Sequence, residues 1–65
     1  MTKKHFEALA AAVRAEVEGW DTEQEKGRHA VEALAFMASA LADVCAQFNP
    51  NFDRARFLAA CGVAG

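Results

Sequence analysis

The sequence predicts an all-α protein: an antiparallel helical hairpin with a long second helix, then a short C-terminal third helix, two such chains pairing into a dimeric helical bundle. Three observations carry this expectation. From Val31 to Phe48 fourteen of eighteen residues are apolar, and the four polar ones, Glu32, Ser39, Asp43 and Gln47, recur at helical intervals. Upstream, Phe6, Ala10, Val13 and Val17 repeat at 4-3-4 spacing. Alanine is abundant, the single proline stands at position 50, and no stretch reads as a strand.

The first helix is predicted over about residues 3–18. Leu9 flanks its apolar row, Trp20 continues the register, and Lys3/Glu7 and Arg14/Glu18 stand as i,i+4 pairs on the wet side. Thr2 can cap it, although Lys3 and Lys4 in the first turn oppose the helix dipole, and Gly19 is its expected stop. Thr22-Glu23-Gln24-Glu25 has the order of a capping box, so the second helix is predicted over about 23–48. Gly27 would cost roughly 1 kcal/mol inside it relative to alanine, which leaves a later start near Arg28 as the alternative. Val31, Leu34, Ala38, Leu41, Cys45 and Phe48 form one apolar row of this helix and Met37, Ala40 and Val44 a second beside it. Asn49-Pro50-Asn51 ends the helix, and Asn51 can cap a third over about 52–60, with Phe52, Ala55, Leu58 and Ala59 on one face and Phe57 and Cys61 beside them. Gly62 is the stop and Val63 to Gly65 a loose tail.

Sixty-five residues make a single domain near the lower size at which one core outweighs the entropy lost on folding. Small chains add disulfides, metal or oligomerisation. Two cysteines sixteen residues apart are too few for a disulfide scaffold, and with no signal-peptide pattern ahead of them they are expected to be reduced thiols in a cytosol. Oligomerisation is the remaining staple. The longest uncharged run, Ala33 to Ala42, is half of the ~20 residues a bilayer span needs, so no membrane partner is expected. Net charge is −2. Five carboxylates (Glu16, Glu18, Asp21, Glu23, Glu25) with no base between them fill residues 16–25, whereas Lys3, Lys4, Arg54 and Arg56 lie near the two chain ends.

The stretch Asn49-Pro50-Asn51-Phe52-Asp53-Arg54-Ala55-Arg56-Phe57-Leu58-Ala59-Ala60-Cys61-Gly62 resembles the C-terminal signature of small proteins encoded by tailed phages and prophages, and Lys4-His5-Phe6-Glu7-Ala8-Leu9-Ala10 looks like their opening. The resemblance covers about a third of the chain. It implies an origin in a phage or an integrated prophage and carries no activity and no functional residue with it.

No grouping of residues fits catalysis, a cofactor or a metal. His5, His29, Cys45 and Cys61 lack close ligand pairing, no nucleophile has a base beside it, and no glycine-rich loop could cradle a phosphate. Cys45 falls on the core row and reads as apolar filler. A Cys45–Cys61 bridge is not expected, because a third helix folding back along the second would set Cys61 beside residues 39 to 41. Phe36 sits in the polar row with Glu32, Ser39, Asp43 and Gln47, and Trp20 sits at the hairpin turn; each is either a lone surface aromatic or a partner anchor. Asp53-Arg54-Ala55-Arg56 is either a capped, solvated first turn or, with Lys3 and Lys4, an anion or acidic-partner site.

Three functions follow. The first is a non-enzymatic phage accessory protein, a homodimer with Ala33, Met37, Ala40 and Val44 at its seam and Leu34, Leu41 and Phe48 kept inside the protomer, that binds and inhibits or modulates a host or phage protein through Glu16, Glu18, Trp20, Asp21 and Glu23. The second is a nucleic-acid-binding module using Lys3, Lys4, Arg54 and Arg56, although the third helix offers only those two arginines to bases or phosphates. The third is a structural or assembly component of the virion.

Overall fold

In the computed structural model, which describes residues 2–63, the chain is all-helical: α1 (Lys3–Glu18), α2 (Glu25–Phe48) and α3 (Arg54–Ala60), with no strand among the described residues. α1 and α2 form the hairpin, α3 returns along α2 in the opposite direction, and each helix packs on the other two. The expected tail is described only at Val63, which packs against the core; Ala64 and Gly65 lie outside the described residues.

Thr2 caps α1 in extended geometry, and its N–H donates to Nδ1 of His5 at 3.0 Å, so a histidine reaches back as the acid of a capping box would. Gly19 closes α1 in right-handed geometry, donating to the carbonyls of Ala15 and Glu16. α2 does not begin where the Thr22–Glu25 order suggested. Oδ1 of Asp21 accepts from the Glu23 N–H at 2.9 Å, and the Asp21 carbonyl accepts from the Gln24 N–H at 3.2 Å. These two bonds make a tight turn of residues 21–24, a local alternative to the helix that a preceding Asx side chain offers. Gln24 becomes the N-cap. The guanidinium of Arg28 reaches back and donates to the carbonyls of Thr22 and Glu23, at 3.2 and 3.1 Å, fastening the turn to the second turn of α2.

Gly27 has the reverse of its expected meaning. It is buried, and a Cβ placed on it would stand 1.8 Å from the carbonyl oxygen of Asp21. The helix can start early because glycine lets the interhelical turn lie directly against it.

α3 is likewise two residues shorter than predicted at its start. Asn49 uses its side chain to accept from the Asn51 N–H at 3.1 Å, and the Phe52 N–H bonds back to the Asn49 carbonyl, so residues 49–52 are a turn. Asp53, not Asn51, is the cap: its Oδ1 accepts from the Arg56 N–H at 3.0 Å. α3 ends in a Schellman closure, with Gly62 N–H to Ala59 O, Val63 N–H to Leu58 O, and Gly62 at φ +78°.

The buried residues are small. Ala10, Ala38, Ala42, Phe57 and Cys61 form the centre, with Leu9, Val13, Leu41, Phe52, Leu58 and Val63 packed partly buried around it and Cys45 buried nearby. Phe6, Phe52 and Phe57 follow one another as tilted aromatic pairs, centroids 4.9 and 5.4 Å apart, and join the start of α1 to α3. On α3 the inward positions are Phe57 and Cys61, while Ala55 and Ala59, expected inside, are exposed. On α2, Val31, Leu34 and Leu41 are half-buried, but Phe48, expected within the protomer, is 83% exposed. The chain turns away at Asn49 before any element can cover it.

Gly27→Ala tests the turn contact. Helix propensity alone would favour alanine by roughly 1 kcal/mol; the collision with Asp21 should outweigh that and leave the protein less stable by about 2 kcal/mol in urea unfolding. An unchanged or raised midpoint would show that the turn is not pressed against α2.

Candidate interaction surface

At about 100° per residue, α2 divides into three faces. One faces the core through Ala38, Ala42 and Cys45. The second is the row Glu32, Phe36, Ser39, Asp43 and Gln47, which was expected to be plain surface. α3 meets its middle: Arg54 donates from Nε to Oδ1 of Asp43 at 3.1 Å and from Nη2 to Oγ of Ser39. Phe36 remains 70% exposed on the same row. The third face carries Ala33, Met37, Ala40, Val44 and Phe48 within about 80° of arc. All five are exposed, Met37 by 58% and Val44 by 49%. The predicted seam residues thus stand together as an open apolar stripe, and Phe48 extends it to the end of the helix.

Beyond that end lies an aromatic corner. Phe6, Val44, Cys45, Phe48 and Asn49 border one groove between α1 and α2. Phe6 and Asn49 also belong to a neighbouring cleft of about 320 Å³ between α1 and α3, floored by Phe52 and Phe57 and edged by Lys3 and Arg56. Of the expected basic set, Lys3 and Arg56 therefore come together. Arg54 does not join them, because Asp43 and Ser39 hold it against α2. Glu7 and Asp53 line the same cleft, so it is not a uniformly cationic site.

Glu16, Glu18, Asp21 and Glu23 are exposed at the opposite end. Three contacts temper their charge: Arg14 pairs with Glu18 at 2.7 Å, Arg28 binds the carbonyls of the turn, and the ammonium of Lys26 lies 5.9 Å from the ring centre of Trp20, itself 39% exposed. The expected Lys3/Glu7 bridge is not among the ion pairs of the described residues, whereas His29 stands 3.9 Å from Glu25.

Cys45 and Cys61 are both free and buried. Burial pushes the Cys61 thiol above its ordinary pKa, since a thiolate there would lose its hydration. His5, His29 and the cysteines do not converge, and among the described residues no three His, Cys, Asp or Glu side chains could hold a metal ion together.

The 24-residue α2 is also long and apolar enough, by length and composition, to cross a bilayer, which the ten-residue run Ala33 to Ala42 had not suggested. The same helix carries the carboxylates Glu32 and Asp43 and packs with α1 and α3.

These features define a small three-helix chain with one long, incompletely covered helix. Comparison with known protein families, curated proteins and solved structures finds no match for it.

The two arginines of α3 should separate in mutagenesis. Arg54→Ala removes a half-exposed tie between helices and should cost up to about 1 kcal/mol, whereas Arg56→Ala should leave the urea midpoint unchanged. A larger loss at Arg56 would contradict this division. Above the ordinary thiol pKa the unfolded chain releases a Cys61 proton that the folded chain retains, so stability should fall as pH rises there. Cys61→Ala should flatten that alkaline decline in unfolding curves taken at successive pH values.

Proposed function

We propose that this chain is a non-enzymatic accessory protein of a phage or prophage, a small cytoplasmic helical homodimer that binds a host or phage protein and modulates it. The observation that carries the reading is the open stripe of Ala33, Met37, Ala40, Val44 and Phe48 on α2. A contiguous apolar face rimmed by polar residues favours association, and in so small a protein it supplies the burial that one core cannot. The phage origin rests on the resemblance of the Asn49–Gly62 stretch. Inhibition is the simplest form of modulation open to a chain that acts by binding alone.

The acidic end, with Trp20 as an aromatic anchor, is the surface suited to a basic partner. A nucleic-acid role is the weaker reading, because Arg54 is engaged by Asp43 and the Lys3–Arg56 cleft has acids of its own. A virion component would use the same seam.

Sedimentation equilibrium at tens of micromolar should give twice the chain mass for the wild type and the chain mass for Met37→Glu, with helicity kept, since Met37 touches little of its own protomer. Leu41→Glu, which places a charge against the core, should instead cost about 2 kcal/mol or more of stability, read as a sharply lowered urea midpoint. A compact wild-type monomer would refute the dimer. Retarded migration of random-sequence DNA at low salt would favour the nucleic-acid reading.

A further inference from the structure

We propose that the occupant of the α2 stripe is the α2 of a second copy running antiparallel, in a register that sets Met37 against the partner's Ala40 and Val44 against the partner's Ala33. This deepens the dimer reading above and rests on it. Three observations converge.

The first is the amount of surface. A compact monomer of 7.0 kDa exposes about 4000 Å²; this chain exposes 4704 Å². The excess belongs to an elongated, thinly covered protomer whose exposed large apolar residues, Met37, Val44 and Phe48, lie on this stripe. The radius of gyration, 12.0 Å against about 10.7 Å expected for this length, and extents of 38 × 17 × 15 Å, agree that the protomer is long.

The second is the order of sizes along the stripe. Reading from the start of α2 it runs Ala33, Met37, Ala40, Val44, Phe48, small and large in alternation until the last step. Two parallel copies in register would stack methionine on methionine and alanine on alanine, leaving the large layers crowded and the small layers open. Reversing one copy about a twofold axis between residues 38 and 39 sets every large residue from 37 to 44 against an alanine. The layers then have even width and the helices can approach closely. Phe48 lies beyond the last alanine layer and covers the first turns of the partner helix.

The third is the placement of charge. The acidic turn of residues 16–25 stands at one end of the protomer and the cleft edged by Lys3 and Arg56 at the other. Parallel pairing would bring two acidic turns side by side. Antiparallel pairing holds them at opposite ends of the dimer, which removes that repulsion and leaves both available to a partner.

Cross-linking separates the orientations. Ala33→Cys and Val44→Cys are made as separate chains, at exposed positions where the fold tolerates them, and oxidised alone and as an equimolar mixture, with the wild type as blank for its two buried thiols. In the antiparallel register, 33 meets the partner's 44, while 33 and the partner's 33 are about 16 Å apart along the axis, too far for a disulfide. The expected result is a mixed disulfide dimer at least about tenfold more abundant than either homodimer. Homodimer cross-links from either variant at more than a tenth of the mixed dimer would overturn the orientation, as would the absence of any cross-link from chains that sediment as dimers. Monomeric sedimentation of the wild type would remove the dimer reading together with its orientation, so the two failures are distinguishable.

Discussion

The structure depends on one imbalance: α2 has more apolar circumference than its two neighbours can cover. α1 offers sixteen residues and α3 only seven, against twenty-four in α2. Covering all of α2 would need a third neighbour, and the described residues form only two. The protomer resolves this by packing its smallest apolar residues tightly, Ala10 against Ala38 and Ala42 with Cys61 beside them, and leaving larger ones, Met37, Val44 and Phe48, outside. Close helix approach through alanines gains dispersion and excludes water, but it removes less apolar area per residue than a core of leucines would.

The ends of the helices compensate for the thin centre. At one end, Asp21, Arg28 and Gly27 form a unit: the aspartate shapes the turn, the arginine binds two of its carbonyls, and the glycine lets the turn lie on the helix. At the other, Phe6, Phe52 and Phe57 bridge α1 to α3, and Arg54 ties α3 to Asp43 and Ser39. The surface ion pair by itself contributes little. Its value is geometric, because a seven-residue helix has little intrinsic stability and needs its direction fixed from outside. Recruiting Arg54 for that purpose also decides the surface chemistry: it leaves Lys3 and Arg56 as the basic edge of the cleft and weakens the case for a nucleic-acid face.

The stripe connects fold to function. Met37, Val44 and Phe48 leave apolar surface in water; in the proposed antiparallel dimer they would meet complementary layers, with the two acidic turns held far apart.

Much of this was legible in the sequence for simple reasons. Periodicity placed all three helices, because burial on one face imposes the 3.6-residue repeat whatever the neighbours are. The stripe residues Ala33, Met37, Ala40 and Val44 could be picked out as surplus by weighing α2 against so short a remainder. The pattern could not show which neighbour each residue meets. Gly27 read as a defect because its reason is a backbone oxygen six residues upstream. Thr22 and Asn51 read as caps because local order favours them; the turn that Asp21 closes moved the first cap to Gln24, and Asp53 took the second. Phe48 had a core register but no cover, since the chain leaves α2 at Asn49, and Arg54 looked like Arg56 until α3 was laid beside Asp43. The sequence by itself determined which segments are helical and how much apolar surface they bring together; only the tertiary structure decided which of that surface is hidden, because coverage depends on where three rods of unequal length end relative to one another.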